Sequence, residues 1–185
     1  MCLTVVVDFV IGTAACANSR NADTEATPVL SGPPSTTFPM PPLKIDAELG
    51  WLMADGQRQR LADYRGKVLV VDFYATWCVP CRQSIPHLVK QQNEMGAKGF
   101  QVVGLNVGGA DDRIKVPEFA RELGVNYTLG FPDKALTDLF LSDNQALPQT
   151  FVLGRDGHLV KRLIGYQPST NAELEKAIDE AIETK

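Results

Sequence analysis

Residues 68–74 read Val-Leu-Val-Val-Asp-Phe-Tyr, an apolar run interrupted by one carboxyl. A run rich in β-branched and aromatic residues, without polar alternation, predicts a central strand covered on both faces. Past Trp77 the period changes: Ile85, Leu88 and Val89 recur at helical spacing within residues 82–92, so a helix follows whose first turn begins near Cys78. Residues 99–107 predict a second buried strand, 108–112 a loop, 116–123 a short helix, 127–129 a small strand and 133–141 another helix. Residues 146–153 join a proline turn to an apolar strand, and Asp156-Gly157 turns the chain into an antiparallel partner over 158–164. Thr170 or Asn171 caps a last helix whose apolar face carries Leu174, Ala177, Ile178, Ala181 and Ile182. That stripe is core packing. Strands alternating with helices make this an α/β chain with a parallel element in its sheet.

The pattern ahead of residue 68 is of three kinds. Residues 43–64 hold short apolar pieces on either side of Ala54-Asp55-Gly56-Gln57, a hairpin expected to cover one edge of the sheet. Residues 18–42 are polar and then proline-rich, with Pro28, Pro33, Pro34, Pro39, Pro41 and Pro42, and read as a linker. Residues 1–17 are mostly apolar or small and reach Gly12-Thr13-Ala14-Ala15-Cys16, like an export signal ahead of a lipidated cysteine and too short for a spanning helix. No Lys or Arg precedes this run, Asp8 interrupts it, and Thr13 stands where such signals carry Leu.

Composition narrows the function. At 44% hydrophobic and 22% charged residues the chain is of ordinary globular make-up, and a net charge of -4 without a basic run gives nucleic acid no footprint. The four cysteines fall as Cys2 and Cys16, then Cys78 and Cys81, which is no disulfide framework. A zinc site would have to recruit His87 or His158, at spacings unlike a finger or ribbon, so no metal is assigned.

Cys78 and Cys81 lie where strand gives way to helix. A thiol of ordinary pKa, about 8.5, is only a few per cent thiolate at neutral pH. Lowering it to about 7 takes about 2 kcal/mol, the upper end of what a helix N-terminus supplies in a partly buried site. Pro80 suits a first helical turn, where its missing amide has no intrahelical acceptor. Cys78 is therefore the attacking sulfur and Cys81 the resolving one. Asp72, six residues earlier in a core strand, is expected to have a raised pKa and to take and return the Cys81 proton. The alternative is a strand-end aspartate satisfied by backbone donors.

Trp77-Cys78-Val79-Pro80-Cys81, Pro86 and Leu147-Pro148-Gln149-Thr150-Phe151, in this order, resemble the thioredoxin superfamily, and within it the exported TlpA/ResA-like thiol-disulfide oxidoreductases. The resemblance covers residues 43–185. It implies a thioredoxin fold: a central mixed β-sheet flanked by helices, with an N-terminal hairpin and a central βα-type insert. It implies a cis-proline at Pro148 beside the cysteines, backbone of Leu147 offered to a substrate strand, and Trp77, Val79 and Pro80 at the substrate surface. No cofactor is implied; the partners would be protein thiols and disulfides and a membrane-embedded thiol donor, for a monomer outside the cytoplasm. Two departures stand out. Ser84 replaces a glutamate of the ResA-like subgroup, and Gly104 replaces the lysine that accompanies the buried aspartate in thioredoxin. Val79-Pro80 offers Cys78 no cation, which leans towards a reductase, while Arg82 would pull the other way if it turned over the sulfur. A thiol peroxidase on the same fold and a metal-binding or chaperone module are the rival readings.

Overall fold

The computed structural model describes residues 48–184, all within the unit Ser35–Lys185. The expected export segment, with Cys2 and Cys16, and the linker lie outside the described residues.

Strand β3, Val68–Tyr74, is buried at every position. It runs parallel to β4, Phe100–Asn106, on one side and antiparallel to β6, Gln149–Leu153, on the other. Side chains alternate across a strand. Leu69, Val71 and Phe73 therefore enter one apolar cluster with Trp51, Leu136, Phe140 and Phe151. Val68 and Val70 enter another with Leu88, Phe100 and Ile178. Asp72 and Tyr74 share this second face.

The remaining strands are β1 (Gly50–Met53), β2 (Arg58–Arg60), β5 (Thr128–Pro132) and β7 (Leu159–Ile164), giving the sheet order β2-β1-β5-β4-β3-β6-β7. β5 is parallel to β4, and the β1–β2 hairpin closes that edge as expected. Helix α1, Val79–Met95, and helix α5, Pro168–Glu183, cover the Asp72 face through Ile85, Leu88, Leu174, Ala177 and Ile178. Helix α4, Lys134–Leu141, covers the other through Leu136, Phe140 and Leu141. Two short helices, α2 (Ala110–Arg113) and α3 (Val116–Glu122), lie between β4 and β5. Among the described residues no helix is long and apolar enough to cross a membrane.

Three boundaries differ from the sequence pattern. Residues 108–112 are not all loop: a one-turn helix starts after Gly109, at φ 93°, with Asp111 and Asp112 in its favourable first turn. The small strand at 127–129 continues to Pro132, because β1 pairs with its second half, a contact that local periodicity does not register. The last helix starts at Pro168 rather than after Thr170 or Asn171. The proline fills a first-turn position, and the Thr170 hydroxyl reaches back to accept the Gln167 N–H at 3.1 Å.

Pairing of β1 with β5 depends on a missing side chain. A Cβ at Gly130 would stand 2.3 Å from Cδ1 of the fully buried Trp51 and 3.1 Å from the Leu52 carbonyl oxygen. Gly130→Ala is therefore expected to cost about 1–3 kcal/mol, the usual range for overpacking. A urea titration that leaves the midpoint of this variant in place would refute the packing argument.

Candidate active site

The two cysteines are placed by the β3–α1 junction. The Cys78 N–H donates to the Ala75 carbonyl at 3.1 Å, closing a turn, and Cys78 then caps α1 with Pro80 in the first helical turn. The Cys81 N–H donates to Cys78 Sγ at 3.2 Å, so an amide of the helix N-terminus points at the sulfur. Cys78 and Cys81 are joined in a disulfide. Cys81 is 0% exposed and Cys78 5%. They pack with Tyr74, Ala75, Ile85, Phe119 and Leu147. Trp77 and Val79 flank them at 64% and 65% exposure. Ser84 donates its hydroxyl to the Cys81 carbonyl at 3.0 Å, and Pro86 lies inside α1. Arg82 does not turn over the sulfur: its guanidinium pairs with Glu122 at 2.6 Å and lies over the Phe119 ring. The field at Cys78 thus comes from the helix and not from a side-chain cation on α1.

Asp72 is wholly buried opposite Gly104 of β4 and Thr150 of β6. Its Oδ1 accepts the Thr150 hydroxyl at 2.8 Å, while Oδ2 has no hydrogen-bond partner among the described residues. The partner is a side chain, not the backbone donors of the alternative reading. Burial pushes the carboxyl up to about 7, with Thr150 pulling weakly the other way.

The Leu147–Pro148 peptide is cis, as the resemblance implied, and Leu147 packs with the cysteine cluster. Two supports were missed in the sequence. Arg162 grips both carboxylate oxygens of Asp143 at 2.7 and 2.9 Å and donates to Gln149, whose amide donates to the Asn144 carbonyl at 2.7 Å. The segment leading into Pro148 is held by this set. On the other side, Asp112 accepts the Thr76 N–H at 2.9 Å, the Thr76 hydroxyl, and the Asn106 amide at 2.8 Å. Burial pushes Asp112 up, but these donors outweigh it and hold the carboxyl below its ordinary value. A Cβ at Gly108 would fall 2.1 Å from Asp112 Oδ2, so the glycine admits the carboxylate. The sequence pattern places Gly108 and Asp112 in a loop, and nothing local announces the partner of Asp112 at Thr76. Trp77 and Leu147 line an open groove with Val107, Thr137 and Leu141.

A disulfide-forming pair with two residues between its cysteines, at a helix N-terminus and packed against Leu147 of the cis-proline segment, is a two-electron dithiol–disulfide couple, and the strand that leads into it carries a buried carboxyl. Residues 39–162 match the model of the AhpC/TSA family. The chain belongs to that family. It is similar to thiol-disulfide oxidoreductase ResA of Bacillus subtilis, 32% identical over 60% of this chain and 60% of that one, so the match spans less than two thirds of that relative. ResA of Geobacillus kaustophilus is 26% identical over 86% of this chain and 82% of its own. A candidate DsbE thiol:disulfide interchange protein of Chlorobium tepidum superposes with TM-score 0.65 at 30% identity, covering 74% of this chain and 94% of that one. Within the AhpC/TSA family the chain is thus one of the TlpA/ResA-like thiol-disulfide oxidoreductases, with the expected α/β thioredoxin fold.

The Asp72 shift has a stability consequence of definite sign. Its folded pKa of about 7 lies above the ordinary 3.8, so below pH 3.8 both states are protonated and there is no penalty. As pH rises from about 4 to 7 the unfolded chain releases a proton that the fold retains, and stability falls until it levels off above 7. Asp72→Asn removes this titration. The variant is expected to be more stable than the parent by a few kcal/mol at pH 8, with the gap closing towards pH 4. Paired denaturant titrations of the oxidised proteins would detect it, and a gap independent of pH would contradict the assignment.

Proposed function

We propose that this protein reduces disulfides of protein substrates outside the cytoplasm, with residues 43–185 as the working domain. The observation that carries the reading is the asymmetric pair itself: Cys78 caps α1 and faces an amide dipole, whereas Cys81 is fully buried behind it. The Cys78 thiolate attacks one sulfur of a substrate disulfide; the other leaves as a thiolate and takes up a proton. Cys81 then gives its proton to the Asp72 carboxylate and attacks Cys78 Sγ. The Cys78–Cys81 bond forms, the bond to the substrate breaks, and two electrons have passed to the substrate, which leaves with two thiols. A carboxyl of pKa about 7 suits this work, since it is divided between its two forms at neutral pH.

The substrate strand lies along Leu147 and Pro148 and against Trp77, Val79 and Pro80; Pro86 serves α1 structurally. Trp77 and Val79, exposed apolar side chains, flank the attacking sulfur. Arg82 is engaged by Glu122 and Phe119, so no α1 side-chain cation stabilises the Cys78 thiolate, which supports the reducing direction. Export rests on the resemblance of residues 1–17 to a signal segment, with Cys16 as the lipid acceptor and residues 18–42 as the tether. An exported reductant needs renewal, and a membrane-embedded thiol donor acting on the monomer supplies it.

The deciding measurement is the reduction potential of the Cys78/Cys81 couple in dithiothreitol or glutathione buffers. A value at or below about -250 mV is expected; one of about -120 to -180 mV would make the protein an oxidant or isomerase. Roles are tested separately. Cys81→Ser is expected to accumulate a mixed disulfide with a protein substrate, and Cys78→Ser none; trapping by the second variant would reverse the assignment of attacking and resolving sulfur.

A further inference from the structure

The mechanism leaves one group of buried atoms unused. On β3, Asp72 and Tyr74 stand two residues apart and so project from the same face. Gly104 lies directly across from Asp72 on β4, where a Cβ would meet Leu129 Cδ2 at 2.6 Å, Tyr127 Cε2 at 3.2 Å and Tyr74 Cε1 at 3.3 Å. Each of those ε-carbons adjoins the carbon that bears a hydroxyl. Two phenol rings therefore converge over the glycine beside Asp72. The carboxylate Oδ2 and the Tyr74 hydroxyl are both buried and, among the described residues, without a hydrogen-bond partner; Asn106 approaches that hydroxyl from its register position opposite Tyr74 but falls short of bonding geometry. Unpaired buried polar atoms are costly, and two of them on one face of β3, close enough for the Asp72 charge to act on Tyr74, call for a role.

We infer that the Tyr74 hydroxyl, joined by that of Tyr127, is the donor that receives the Asp72 carboxylate when the carboxyl gives up its proton. The inference rests on the reading of Asp72 as the proton acceptor for Cys81. Tyr74 and Tyr127 act through Asp72 and are positioning residues: Tyr74 packs beside the cysteines but exchanges neither proton nor electron with them, and the two phenols let the carboxylate exist without a cation beside it. Burial, then Asp72, keep both phenols protonated far above neutral pH, with Asp112 adding to the effect at Tyr74, so both remain donors throughout the working range. The titratable groups that Asp72 acts on are Tyr74 from β3 and Tyr127 ahead of β5, and from α1 Cys78 and Cys81, once reduced, pack against Tyr74. Asp112 of α2 also acts on Tyr74; β4 and β6 contribute Gly104 and Thr150 opposite Asp72, which do not titrate.

Keeping the full chain oxidised removes the thiols from the titration, so the Asp72 carboxyl carbon can be followed by NMR as pH is varied. Tyr74→Phe keeps the ring stacked on Phe119 and deletes only the donor. Its Asp72 midpoint is expected to rise by about half a pH unit or more. Tyr127→Phe is expected to raise it as well, and decides by the same criterion if the first variant does not fold. A smaller rise, no change or a fall overturns the inference; lost packing alone would lower the melting temperature without moving the midpoint. The underlying reading is tested apart from this, by the pH profile of glutathione release from a Cys78–glutathione mixed disulfide. Asp72→Asn is expected to abolish the step near pH 7 in that profile, and a profile unchanged by it rejects the proton-acceptor reading whatever the phenols do.

Discussion

The structure depends on a strand that water cannot reach from either side. β3 is buried along its whole length, so its backbone groups must be satisfied by neighbours, and the registers with β4 and β6 supply them. The same exclusion of water makes Asp72 unusual, because among the described residues its only side-chain partner is the Thr150 hydroxyl. A carboxyl in that position keeps its proton to about neutral pH. At the end of the strand the chain turns at Ala75–Cys78 and enters α1, which folds back over the Asp72 face and carries the cysteines with it. Burial of the carboxyl and placement of the disulfide are consequences of one arrangement.

Asp72 and Asp112 show how environment separates two identical side chains. Both are buried. Asp112 collects the amide and hydroxyl of Thr76 and the amide of Asn106, and is held below the ordinary carboxylate range despite its burial. Asp72 has, among the described residues, a single neutral donor and is pushed above it. The first is suited to holding a charge and a loop in place; the second is suited to changing its protonation state.

The loops that meet at the disulfide are fixed from elements remote in sequence. Asp112, on the segment between β4 and β5, anchors Thr76 just ahead of Trp77 and Cys78. Arg162, on β7, anchors Asp143 and Gln149 on either side of Leu147 and Pro148. A site for sulfur exchange needs its attacking atom and its substrate-facing backbone held to a fraction of an ångström, and side chains on regular elements do this better than the loops themselves.

The apolar run at 68–74, the change to helical period after Trp77 and the Cys78/Cys81 spacing were sufficient to find β3, α1 and the redox pair, because each is a local pattern with a strong physical cause. Pro148 and Gly104 were legible through resemblance, and both stand where it implied, in a cis peptide and opposite Asp72. The length of β5, the start of α5, the commitment of Arg82 to Glu122 and the grips of Asp112 on Thr76 and Arg162 on Asp143 were not legible. These are pairings between residues that lie close only after folding. The sequence alone determined which residues can do sulfur chemistry, since that follows from residue type and local spacing. Tertiary structure alone decided which carboxylate is charged and what holds the loops still, since both depend on donors brought from distant parts of the chain into a space without water.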